Sequence, residues 1–287
     1  RPFLGAMSAT EFPKPYVKWA CEPARAQEVP LAIAQAYSIA MQRPCGPTFV
    51  SVPADDWDHP ASPVVAPDIT RSIAVDPCKM DEIVDALNAS KRPVIVAGPA
   101  IGIENMVDDM IALAEAHNAP VWAAPVASRK NFNEDHPLFQ GHLPAVPELL
   151  AKILGPHDLV LVLGAPAFLI HVPGNVSVLE SIGPIYQITD DPDMAATMPF
   201  VKSVRGSMST AIPALIKGAR DNKGRADPPL RKTIARAEES ALLSGEYVFQ
   251  TISELAPADA IYVEESPSYK DALQLHLPVS GDRDFFA

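Results

Sequence analysis

Hydrophobic and polar positions along this chain change period repeatedly, and each change marks an element. In AQEVPLAIAQAYSIAMQ (26–42), Val29, Ile33, Ala36, Tyr37 and Ala40 recur at helical spacing. GPTFVSVP (46–53) is a short β-branched run closed by proline, so the region reads as one helix feeding one strand. From Asp55 to Pro77 the sequence turns Pro- and Asp-rich with no sustained period, which is how a connection between domains reads. A regular alternation follows: helix KMDEIVDALNAS, strand PVIVAGPA, helix ENMVDDMIALAEAHN, strand PVWAAP, helix VPELLAKILG and strand LVLVLGAP. Strands PIYQITDD and VKSVRGS and helix STAIPALIKGAR complete it.

Strands so uniformly apolar are covered on both faces, and helices interleaved with them imply parallel crossovers. The pattern predicts a doubly wound, Rossmann-like parallel α/β domain over 79–222, flanked by partial α/β domains. The polar stretch DNKGRADPPLRK follows, then helix GEYVFQTISELAP and strand AIYVEES begin a second α/β pattern that does not complete itself.

Composition narrows the function classes. At 287 residues and 48% hydrophobic content the chain exceeds one small core. Twenty-three Lys and Arg against 35 Asp and Glu give a net charge of −12, which leaves little basis for binding nucleic acid. The longest apolar runs fall short of the roughly 20 residues that span a bilayer, and no secretory leader is evident, so the expectation is a protein of the cytoplasm without membrane partners. Cys21, Cys45 and Cys78 are widely spaced with no C-x-x-C pair, so neither a disulfide framework nor a zinc cage is expected.

In LVLVLGAPAFLIHVPG (159–174) a buried-strand pattern runs into a turn and then to His171. Ligands of open parallel sheets sit outside the carboxyl ends of the strands, so the position suits a site, although by itself a loop histidine is usually a surface or capping residue. No G-x-G-x-x-G or P-loop follows any strand, and GPAIG (98–102) is only a tight turn. In DDWD (55–58) adjacent acids on an extended segment face opposite ways, so Trp57 is expected to anchor the linker and the acids to be solvated.

Several blocks carry a resemblance. FPKPYVKWACEPARAQEVPLAIAQAYSIA, GPTFVSVPADDWD, NAPVWAAPVASRKNFNEDHPLFQGHLPA, LVLVLGAPAFLIHVPG, QITDDPDMAA and APADAIYVEES resemble, in order, successive blocks of the benzoylformate decarboxylases. These are thiamine-diphosphate-dependent 2-oxoacid decarboxylases, carbon–carbon lyases that act as dimers of dimers. The resemblance implies that 1–57 is the tail of a pyrimidine-binding domain and 58–78 a linker. It makes 79–222 the middle domain, and 223–287 a linker and the start of a pyrophosphate-binding domain.

It implies an aromatic 2-oxoacid substrate, thiamine diphosphate and Mg2+ in the complete enzyme, and no FAD or NAD. The family's cofactor-activating glutamate would lie upstream of Arg1 and its G-D-G metal motif downstream of Ala287, since SGD (280–282) reads as a polar turn. The expectation is therefore a fragment, inactive alone and without metal ligands of its own, with residues missing between Arg1 and Pro2. Acetolactate-synthase-like carboligation and a non-catalytic nucleotide-binding or assembly domain are the alternative readings.

Position by position, His171 falls on the histidine that reaches a neighbouring subunit's active site. An imidazole there can supply the proton required once carbon dioxide has left. Phe168 and Ile170 would shape an apolar wall for the aromatic ring, although core packing explains Phe168 equally well. Ser266, Pro267 and Ser268 fall on the turn that lies against the cofactor's diphosphate. Pro267 stands where the family has threonine and has neither an N–H nor a hydroxyl to offer, so Ser266 and Ser268 would take over part of that contact, although a polar turn whose Ser and Pro simply stop the strand explains these residues equally well.

Overall fold

A computed structural model describes residues 6–220, 225, 227–229 and 233–287; the Arg1–Pro2 junction and part of the polar stretch 221–232 lie outside the described residues. The chain divides into two compact units, Arg1–Arg71 and Ser72–Ala287.

In the first unit, β1 (Trp19–Cys21), α1 (Val29–Ala40) and β2 (Thr48–Val50) make a parallel βαβ crossover, with Trp19 opposite Thr48 and Cys21 opposite Val50. The helix and β2 follow the sequence period; β1, three half-buried residues with no alternation, does not announce itself. Helix α1 buries only small side chains, Ala32, Ala34, Ala36 and Ser38, and leaves Leu31, Ile33 and Tyr37 more than half exposed. Trp57 corrects an expectation. It is 73% exposed at the end of the 3-10 turn Ala54–Asp56, so its indole buries too little surface to anchor the linker. Asp55 and Asp58 are exposed, as solvated acids should be.

The second unit is the doubly wound domain. Its elements are α2 (Pro77–Ala89), β3 (Pro93–Ala97), α3 (Pro99–Ile103), α4 (Val107–His117), β4 (Val121–Ala123), β5 (Phe139–His142), α5 (Pro147–Leu154), β6 (Leu159–Leu163), β7 (Ile185–Thr189), α6 (Pro192–Ala195), β8 (Lys202–Arg205) and α7 (Met208–Lys217). The six strands are parallel in the order β5-β4-β3-β6-β7-β8. Strand order reverses between β3 and β6, which makes this the topological switch point.

Every residue of β3, β6 and β7 is buried, and their alternating side chains feed two cores. Ile95, Ala97, Leu161, Leu163 and Ile188 meet α2, α4 and α7 on one face, while Val94, Val96, Val160, Val162 and Ile185 meet α5 on the other. Helix α2 starts where Asp76 accepts hydrogen bonds from the Cys78 and Lys79 amides at 2.9 and 3.2 Å, with Pro77 in the first turn.

A further piece comprises α8 (Gly245–Leu255), β9 (Ile261–Val263), α9 (Lys270–His276) and β10 (Asp284–Phe286), with β10 parallel to β9. The loop after β4 holds it: Arg129 bridges Phe286 and lies 3.9 Å over its ring, and Lys130 donates to Gly281 O. The predicted polar turn is present at Gly281, with φ +59°.

Between α2 and α4, Arg225 donates to Leu87 O, Ser90 O and His117 O, supplying donors to the carbonyl ends of both helices. His117 beside it is fully buried, and burial, reinforced by the Arg225 guanidinium, pushes its imidazole down from 6.5 to about 4. Because the folded pKa is depressed, the unfolded chain takes up this proton first as pH falls. The stabilisation is complete above pH 6.5 and is lost as pH drops towards 4, by on the order of 3 kcal/mol. Urea unfolding at pH 7 and pH 4.5 should show this loss in the wild type and a clearly smaller one in His117→Leu; an equal loss in both would contradict the assignment.

Candidate functional site

The site is built outward from the switch point. At the end of β6, Gly164 takes φ +66°, a conformation that glycine tolerates and other residues rarely adopt. Across from it, a Cβ on Gly98 would lie 2.3 Å from Gly164 O, so the two turns touch backbone to backbone. Gly98 N donates to Leu163 O at 2.8 Å, Ala100 N to Gly164 O at 3.2 Å and Gly164 N to Ile188 O at 2.9 Å.

The loop beyond is braced along its length. Gln187 Nε2 donates to Ala165 O at 2.7 Å, and the amides of His171 and Val172 both donate to Ala145 O, at 3.2 and 3.4 Å. At the far end the Asn175 amide donates to Glu148 Oε1 at 2.7 Å. That bond and Glu148's own amide hold its carboxyl below the usual carboxylate range. Between these supports Phe168 turns inward, 1% exposed within the second core, and Ile170 packs half-buried against it. His171 faces solvent. The loop therefore fixes its backbone and leaves the imidazole free to meet another molecule.

Ser266, Pro267 and Ser268 follow β9, on a different sheet from β6. Ser266 is half-buried, Pro267 and Ser268 exposed. The Ser266 amide donates to the Glu264 carboxylate, and the Tyr269 amide to Ser266 O at 3.2 Å. With those amides engaged, a proline between the serines and carboxylates at Glu264 and Glu265, the turn as it stands does not fit a diphosphate. Its remaining offer is the two serine hydroxyls and the Ser268 amide. Among the described residues no hydrogen bond joins this turn to the His171 loop, and no group of three or more His, Cys, Asp or Glu is placed to hold a metal ion.

Sequence reasoning missed a second polar constellation, Arg129, Lys130, Glu134 and His142, around a small cavity against α9 and β10. Its one legible signal was His142 at the end of the FQGH segment; Glu134 joins it through a loop whose path no periodicity encodes.

Residues 80–215 match the family model described as thiamine pyrophosphate enzyme, central domain.

The resemblance then becomes more particular. The chain is similar to benzoylformate decarboxylase of Pseudomonas aeruginosa, with 37% identity over 289 residues, covering 99% of this chain and 54% of that protein. It is also similar to the solved structure of benzoylformate decarboxylase from Polynucleobacter necessarius, with a TM-score of 0.89 and 35% identity over 98% of this chain and 53% of that one. The thiamine diphosphate-dependent 4-hydroxybenzoylformate decarboxylase of Rhodococcus jostii RHA1 gives a TM-score of 0.85 and 33% identity, over 98% and 54%. The chain thus spans about half the length of these relatives.

The opposite placements of Phe168 and His171 imply opposite costs of truncation. Phe168→Ala should cost about 3 to 5 kcal/mol in urea unfolding, as for a deleted core aromatic. His171→Ala should stay within about 0.5 kcal/mol of wild type. A His171→Ala loss comparable to that of Phe168→Ala would make the imidazole a structural group.

Proposed function

We propose that this chain is part of a thiamine-diphosphate-dependent decarboxylase that converts an aromatic 2-oxoacid, benzoylformate in the first instance, to an aldehyde and carbon dioxide. One observation carries the reading: a collinear similarity to benzoylformate decarboxylase over 99% of the chain, in which His171 stands exposed on a braced loop at the carboxyl edge of the sheet. The same reading makes the longer protein a Mg2+-dependent dimer of dimers in the cytoplasm, with 1–57, 58–78, 79–222 and 223–287 as its successive domain parts. In that assembly His171 reaches a neighbouring subunit's site.

The net conversion consumes one proton: a 2-oxoacid anion loses carbon dioxide, and the carbon that carried it gains hydrogen. His171 is proposed to deliver that proton and to recover another from solvent, which a histidine can do near neutral pH because its charge changes there. Loop bracing matters to this role. A donor must be held within hydrogen-bond reach of the receiving carbon, and the Ala145 and Glu148 contacts remove the backbone freedom that would blur its placement. Phe168 supports the wall from within the core, and Ile170 is the side chain nearer the surface. Since the Ser266–Ser268 turn does not fit a diphosphate by itself, no step is assigned to it.

In the full-length enzyme, His171→Ala should lower kcat for benzoylformate by about 10²- to 10⁴-fold, the usual effect of losing a positioned proton donor, with unfolding unchanged. Steady-state assays with benzoylformate and 4-hydroxybenzoylformate measure this. A variant within a few-fold of wild type on both would remove His171 from the chemistry; a wild-type enzyme inert towards both would remove the substrate assignment.

A further inference from the structure

Nothing in the proposed chemistry uses the amino end of the sheet, opposite the His171 loop. A cavity of about 490 Å³ opens there, within the range that holds drug-sized ligands. Its apolar walls are Trp122, Ile153, Pro93 and Pro120 at the starts of β3 and β4, and Pro228 and Pro229 of the linker beyond α7. The second core is built on β3, β6 and β7, so Trp122 of β4 and Ile153 of α5 pack only at its margin and stay half-buried.

These walls are fixed before any ligand arrives. A Cβ on Gly141 of the neighbouring strand would lie 3.4 Å from the Trp122 ring, so the indole rests on glycine backbone. Arg225 ties the linker to the carbonyl ends of α2 and α4, and Gln140 Nε2 donates to Pro229 O at 2.8 Å. Ring closure sets φ at Pro228 and Pro229, which leaves this wall little backbone entropy to lose on binding.

The groups around the cavity supply one charge of each sign. The Arg92 amide donates to Asp158 Oδ1 at 2.9 Å, and His157 Nδ1 lies 3.1 Å from Arg92 O. Its backbone is thus held at both ends, while among the described residues no carboxylate pairs with its guanidinium. Asp227, on the linker wall, is likewise without an ion pair among the described residues. His157 also lines the cavity but adds no charge near neutral pH, because burial holds its imidazole below the usual range. An aromatic wall with one guanidinium and one carboxylate complements a zwitterion that carries an aromatic ring.

We propose that this cavity binds an aromatic amino acid, its ring against Trp122, its carboxylate on Arg92 and its ammonium on Asp227. The site lies at the other end of the sheet from His171 and is independent of the decarboxylase reading.

Calorimetric titration of the 287-residue chain with L-tryptophan tests it. Indole-3-propionate, which lacks the ammonium, and tryptamine, which lacks the carboxylate, serve as partial ligands. L-Tryptophan should bind one site with a submillimolar Kd, and each partial ligand about fivefold more weakly. Arg92→Gln should weaken L-tryptophan and indole-3-propionate about fivefold and leave tryptamine unchanged; Asp227→Asn should weaken L-tryptophan and tryptamine and leave indole-3-propionate unchanged. Both side chains are exposed, so neither substitution puts folding at risk. Among the indole N–H signals of Trp19, Trp57 and Trp122 in nitrogen-labelled protein, L-tryptophan should move that of Trp122, identified by its loss in Trp122→Phe. Absence of saturable L-tryptophan binding, a shift at Trp19 or Trp57 in its place, or a charge variant that binds all three ligands as wild type does would each overturn the proposal. So would loss of L-tryptophan binding in His171→Ala, which would put the ligand at the carboxyl edge.

Discussion

The backbone contact between Gly98 and Gly164 governs the placement of everything at the carboxyl edge of the sheet. β3 and β6 are the two central strands, buried on both faces, and their turns must pass each other where strand order reverses. They pass so closely that a Cβ on Gly98 would meet Gly164 O at 2.3 Å, and one on Gly164 would meet the Ala100 side chain at 2.7 Å. The approach lets Ala100 N hydrogen-bond Gly164 O, so an amide at the start of α3 that a phosphate could otherwise engage serves the protein itself. It also sets the direction in which the β6 loop leaves, and hence which side chains turn back into the core and which turn out.

From that departure the loop's two roles follow. Phe168 returns to fill the second core, and four contacts, at Ala165, His171, Val172 and Asn175, fasten the remainder. His171 is left outside on a backbone with little freedom. A residue whose work is with another molecule is well placed on such a loop, because exposure costs the fold almost nothing and bracing supplies the geometry that chemistry requires.

Much of this architecture was legible in the sequence, and what was not has identifiable causes. The uniformly apolar runs at 93–97 and 159–163 read as strands covered on both faces, and the helices between them carried clear spacing. β1, β5 and β10 escaped because edge or isolated strands of three or four residues bury too little to impose a period. Trp57 misled because an aromatic in a polar linker invites an anchoring role, whereas its exposure depends on what a short turn brings near it. Of the candidate site, the place of His171 beyond the end of β6 was legible in the sequence, while its exposure and the bracing of its loop were not. The pairing of Glu134 with His142 was not, since it depends on a loop path and on a hydrogen bond to Val279, more than a hundred residues away in the chain.

The central claim is that the Gly98–Gly164 approach is a steric requirement on which the carboxyl edge depends. Unfolding of Gly98→Ala in urea tests it most directly, because one methyl group must force apart two backbones that cannot swing aside as a flexible side chain would. The account predicts a loss of at least about 2 kcal/mol, together with weakened exchange protection of the Ala100 and Gly164 amides. A variant within about 0.5 kcal/mol of wild type, with both amides still protected, would contradict it.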